Sequence, residues 1–201
     1  MGTFTQLDVV NEMLGLLGER RVNSLDLDHP LVSSGVNFLR VANAREQGRG
    51  WWFNTEVVSL SPDIAGRIAV PSDVLQLDPS DPCLKYAQRG NALYNLAPLP
   101  GASPTVFTQA VICGLIRLVP FEDLPTVAGL FVSTSAKLDF LIALDGDDSK
   151  INNLGKQRRE AQIGLNAEHI GSVDANLLYN PSLQATRGSL RGNTGGRLRT
   201  R

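Results

Sequence analysis

The sequence predicts an α+β chain. A helical bundle is built from N- and C-terminal helices, with an inserted small antiparallel β region and an extended C-terminal arm. Three observations carry this. Apolar residues recur at helical spacing in two early and two late segments. Between them the periodicity gives way to short strand-like runs broken by proline, glycine and aspartate. From residue 175 onward the chain carries five arginines and no acid. The expected divisions are 1–50 and 120–170 for the bundle, 51–119 for the β region and 171–201 for the arm.

The first helix should start at Thr5, because Thr5-Gln6-Leu7-Asp8 has the form of a capping box. Leu7, Val10, Met13, Leu14 and Leu17 make its apolar stripe, and Gly18 stands where a glycine ends a helix. Pro30 suits the first position of a second helix, with Asp28 or His29 as its cap. Leu31, Val32, Gly35, Val36, Leu39 and Ala42 form its stripe, which leaves Arg40, Asn43 and Glu46 off it. This helix should end at Gly48 or Gly50.

Trp51, Trp52 and Phe53 follow, and such rings bury roughly 150–250 Å² each. They are expected to anchor the helical part to the β part. Strand-like runs are then expected at 56–60, 67–70, 74–77, 84–87 and 92–95, the last two joined by a turn at Arg89-Gly90-Asn91. Residues 110–119, apolar except for Arg117, read as a central strand. Pro125 suits the first position of a long helix whose stripe is Val127, Leu130, Phe131, Leu138, Leu141 and Ile142. A last helix over 150–170 carries only Ile151, Leu154, Ala161 and Leu165, with Arg158 among them. Such a thin stripe suits burial completed by another subunit. In the arm, leucines and Tyr179 punctuate the arginines, as in a segment that orders on a partner.

With 201 residues, 42% hydrophobic and 19% charged, the chain can build a real core, and its net charge of −1 argues against a general polyanion binder. No basic-then-apolar leader opens it and no apolar run of membrane length is visible. Cys83 and Cys113 have no CxxC partner, so free structural thiols are expected.

Chemistry-bearing patterns are few. Asp26, Asp28 and His29 could gather at a metal, but capping accounts for them. Asp145-Gly146-Asp147-Asp148 lacks the rest of a calcium loop. No phosphate loop or nucleophile elbow is present. Glu56, Asp63, Asp73, Asp78 and Asp81 could supply a glycosidase pair, although turn chemistry explains most of them. The basic end could meet nucleic acid through phosphates.

Several segments, in order, carry a resemblance. They are Val10-Asn11-Glu12-Met13-Leu14 with Leu17-Gly18-Glu19, Val22-Asn23-Ser24-Leu25, and Arg49-Gly50-Trp51-Trp52-Phe53-Asn54. Gln88-Arg89-Gly90 with Leu93-Tyr94, and Ile116-Arg117-Leu118 before Phe121-Glu122-Asp123-Leu124-Pro125, complete the series. Together they resemble the tail tubular protein A family, the head-to-tail adaptors of short-tailed (podovirus) phages, across residues 7–145.

The resemblance implies a structural virion protein, not an enzyme, that needs no cofactor and touches no membrane. It implies a ring of twelve copies between portal protein and tail nozzle protein, with DNA passing through the lumen without sequence-specific binding. The protein would be made in the host cytoplasm and carried in the phage tail. The C-terminal segment would reach the portal, with Leu178, Tyr179, Leu183 and Leu190 filling apolar pockets. Arg187, Arg191, Arg197, Arg199 and Arg201 would meet acidic surface there. The alternative reading is a tail-associated glycan hydrolase, which needs two facing carboxylates in the β region.

Overall fold

The computed structural model describes residues 5–26 and 28–178. Helix α1 (Gln6–Leu16) starts as its sequence dictates. The Thr5 hydroxyl accepts from the Asp8 amide at 3.1 Å, and the Thr5 amide donates back to the Asp8 carboxylate at 3.2 Å. It ends in a Schellman motif: Gly18 takes φ +78°, and the Glu19 amide donates to the Leu14 carbonyl at 2.9 Å. Its apolar surface is wider than the predicted stripe. Val9 and Met13 face the main core, while Val10 and Leu14 close a satellite cluster with Val32. Asn11 pins the following loop by bonding both the amide and the carbonyl of Val22.

Helix α2 (Pro30–Gln47) has Pro30 at its first position, and His29 occupies the cap without a side-chain bond. Its buried face does not stop at Ala42. It runs on through Asn43, Glu46 and Gln47, the last two only 1% exposed. These residues are polar in type yet fall on the inward side of the helix, although the apolar stripe left Asn43 and Glu46 off it.

Strands β1 (Thr55–Leu60), β2 (Val74–Pro79) and β5 (Val111–Arg117) form one antiparallel sheet in the order β1-β5-β2. Strands β3 (Tyr86–Arg89) and β4 (Ala92–Asn95) form the expected hairpin around Gly90, at φ +60°. Two expectations for this region need correction. The 67–70 run is not a strand: it meets β4 at one bridge, Ala69 with Ala92, because a turn at Asp63 precedes it and Pro71 ends it. Strand β5 is central, but its two faces are unequally covered. Val111, Cys113 and Leu115 point into a second core with Ile68 and Leu93, whereas Ile112 is 54% exposed.

A short 3-10 turn (Phe121–Asp123) leads to α3 (Thr126–Leu144), with Pro125 at the cap rather than inside the helix. Helix α3 packs against α1, α2 and α4 (Asp148–Leu178), so it is buried around most of its circumference. Phe131, Val132, Ala136 and Phe140 lie in the core, while Leu130 and Ile142 of the predicted stripe are exposed. Ser133 and Thr134, also buried, return their hydroxyls to carbonyls of the preceding turn. By length and a mean hydropathy of 1.6, α3 would qualify as a membrane span, contrary to the sequence expectation; 56% of that window is buried inside the molecule. Helix α4 continues to Leu178, beyond the point where order was expected to fade.

The link from α2 to β1 turns at Gly50, at φ +75°, where an added β-carbon would lie 2.9 Å from the Ile116 side chain. Gly50→Ala therefore combines backbone strain with overpacking and should cost about 1–3 kcal/mol. Urea unfolding reads this directly; an unchanged midpoint would show that the turn relaxes freely.

Candidate functional site

Two buried polar constellations hold the molecule together, and both centre on the end of α2. The first joins bundle to sheet. The Gln47 side-chain amide donates to the Val119 carbonyl at 2.8 Å and accepts from the Val119 amide at 2.8 Å, as a neighbouring strand would. It also donates to Asn43 at 2.8 Å. Asn54 repeats the device seven residues later, beyond the end of α2. Its amide donates to the carbonyls of Gln47 and Arg117, while its oxygen accepts from the Trp51 backbone amide at 2.8 Å.

The tryptophan–phenylalanine stretch wraps this seam. Trp51 is 6% exposed and its indole N–H donates to the Glu46 carbonyl at 2.8 Å. Trp52 and Phe53 are half-buried, edge to face, with centroids 5.1 Å apart. His169 of α4 closes on both tryptophan rings, at 5.5 and 6.1 Å.

The second constellation ties α4 to α2. The Glu46 carboxylate, 1% exposed, accepts from Arg45 at 2.9 Å and from Arg158 at 3.0 Å on one oxygen. Arg49 stands 3.0 Å from the other oxygen, an ion-pair contact without hydrogen-bond alignment. Arg158 also donates to the Ser135 hydroxyl at 2.8 Å and, like Arg49, lies over the Phe131 ring. Burial pushes the Glu46 carboxyl up, but the hydrogen bonds from Arg158 and Arg45 and the charge of Arg49 more than reverse it, so it sits below the usual range.

Four of the five candidate carboxylates of the β region make structural bonds. Glu56 and Asp73 clasp the Arg117 guanidinium from two sides, each at 2.8 Å. The Arg117 hydrogen bond holds Asp73 below its ordinary value. Asp63 and Asp81 accept backbone amides within their own turns. A cleft of about 690 Å³ opens in this region beside Tyr86, Asn95 and Phe107, and of the five carboxylates only Asp81 lines it. That leaves one carboxylate where a glycosidase uses two.

Elsewhere the candidates do not converge. Asp26 bonds Ser24, and Asp147 accepts the amides of Ser149 and Lys150 at the start of α4. No metal-ligating cluster occurs among the described residues. Cys83 is exposed, Cys113 is buried, and they are unbonded.

Leu178 is the last residue of α4. Tyr179, Leu183, Arg187, Leu190, Arg191, Arg197, Arg199 and Arg201 lie outside the described residues. What sequence reasoning missed is the polar half of the seam. Asn43, Glu46 and Gln47 continue the angular positions of Leu39 and Ala42 round the helix, and that continuity was the available signal.

Two comparisons bear on identity. A family model described as "Tail tubular protein" matches residues 7–176. Among curated proteins, Tail tubular protein A of Klebsiella phage KP34 is 27% identical over 167 residues, covering 82% of this chain and 87% of that protein.

Trp51 both fills the core and satisfies a carbonyl, so Trp51→Ala should cost about 3–5 kcal/mol in a denaturant titration; a loss under 1 kcal/mol would place its weight elsewhere. Glu46→Gln should cost about 1.5–3 kcal/mol at neutral pH, since its arginine partners keep partial access to water. Because folding lowers the Glu46 value, its contribution is present above the unfolded value of about 4.3 and fades as pH falls through the folded one. The stability gap between wild type and Glu46→Gln should therefore shrink below about pH 4.3; a gap constant down to about pH 3 contradicts this ionisation.

Proposed function

The chain belongs to the tail tubular protein family and is a structural component of a phage tail; from that premise we propose that it is the head-to-tail adaptor. In this reading copies stand side by side in a closed ring of twelve between portal and nozzle, with DNA passing through the lumen. The observation that carries it is a helix exposing apolar side chains its own subunit does not cover: Ile163 and Ile170 of α4 are 68% and 58% exposed. A subunit built to stand alone keeps such surface small, whereas a subunit of an assembly presents it to a neighbour.

The rest of the molecule fits the same division of labour. The bundle forms the ring body, and Trp51, Trp52 and Phe53 fix it to the β region, so load on one part is transmitted to the other. Ile64, Leu99 and Val106, exposed on loops of the β region, would meet the nozzle. The segment after α4 would reach the portal, its leucines entering apolar pockets and its arginines meeting acidic surface. Ordering such a segment costs about 1–2 kcal/mol per residue, which the docked contacts must exceed. Assembly would then be sequential, with the portal needed first.

Electron microscopy of the full chain with its cognate portal should show a closed ring of copies beneath it. Removing residues 179–201, which leaves α4 intact, should weaken portal binding at least about tenfold. No ring, or binding unchanged by the truncation, would overturn the corresponding part of the reading.

A further inference from the structure

Helix α4 is apolar on two opposite sides. Leu154, Ala161 and Leu165 are buried in the subunit. On the far side Ile163, Ala167, Ile170 and Gly171 follow helical spacing and are exposed, and Gly164, also exposed, borders them at a groove shared with Val127 and Leu130 of α3. A β-carbon built on Gly164 or Gly171 would meet nothing within 4 Å. The subunit therefore gives no steric reason for glycine at either place, and glycine weakens a helix. A second helix approaching closely, with the isoleucines beside the glycine notches, supplies the reason.

The complement lies across the bundle. Helices α2 and α4 both pack on α3, and they reach each other through long side chains such as Arg158 to Glu46. The outward face of α2 carries Asn37, Val41 and Ala44, small or short side chains, with Val41 44% exposed. Beside them Arg40 is exposed, and its side-chain bond is to Asn37 of its own helix, at 3.0 Å. Glu160 and Glu168 flank the outer face of α4, exposed and without an ion pair among the described residues. One face offers a cation beside small groups; the other offers carboxylates beside isoleucines.

We infer that the outer face of α4 in one copy packs against the outer face of α2 in the next, with Arg40 opposite Glu160 or Glu168. This rests on the ring reading above and names its contact. Because two different surfaces meet, the contact repeats in one direction and closes when the rotation per copy allows.

The test uses full-length Gly164→Leu, Gly171→Leu and the double variant. Each places a better helix former where a β-carbon meets no neighbour, Gly171 on the open face and Gly164 beside the α3 groove, so the melting midpoint of the free chain should hold or rise. Ring formation on the portal should need at least about tenfold more protein. Arg40→Glu should weaken ring formation, and adding Glu160→Arg with Glu168→Arg should restore it. Wild-type and leucine-variant rings forming at equal concentrations would overturn this contact and leave the ring standing. A lowered melting midpoint of the leucine variants would also overturn it, since that face would then be covered within the subunit. Absence of rings from the wild-type chain would remove both.

Discussion

The structure depends on a pair of carboxamides acting as backbone. Gln47 exchanges two hydrogen bonds with Val119, and Asn54 bridges the carbonyls of Gln47 and Arg117. The last turn of α2 and the exit of β5 are thus paired as if they were adjacent strands. Buried amides and carbonyls must find partners, and here no regular ladder is available to them. Apolar packing alone would let the two parts slide. Directional bonds set the angle between bundle and sheet, and Trp51 seals them from water with its own indole bond to Glu46.

The same end of α2 controls the last helix. Helix α4 buries few apolar residues of its own, so its attachment leans on Arg158, held by Glu46 and Ser135. An ion pair of this kind gains from burial only when the carboxylate is fully partnered. Glu46 approaches that condition: Arg45 and Arg158 hydrogen-bond one oxygen, and the Arg49 charge stands 3.0 Å from the other. One polar cluster therefore does what a second apolar stripe would otherwise do, and it leaves the far side of α4 free. In a structural protein of a phage tail, that freedom is useful: a side chain spent on internal packing cannot also face a neighbour.

Four carboxylates of the β region, Glu56, Asp63, Asp73 and Asp81, make structural bonds. Arg117 draws Glu56 and Asp73 together across the three strands, and Asp63 and Asp81 close turns. A carboxylate held ionised against a guanidinium is poorly suited to donate a proton.

Local chemistry made much of this legible in advance. The Thr5 capping box, the Gly18 stop, Pro30 at a helix start and the hairpin at Gly90 each depend on a few neighbouring residues, so the chain alone determines them. So does the change of period that separates bundle from sheet, and the ordered segments that resemble the tail tubular family. Tertiary structure decided the rest, because it depends on which surfaces meet. Asn43, Glu46 and Gln47 are polar by type and buried by position, since Val119 and Arg158 arrive from elsewhere in the chain to satisfy them, beside the neighbouring Arg45 and Arg49. Strand β5 looks central by composition, yet its outer face is open at Ile112 and meets the α2–β1 link at Ile116. Residue type reports what a side chain prefers; only the folded arrangement supplies the partner that lets it be otherwise.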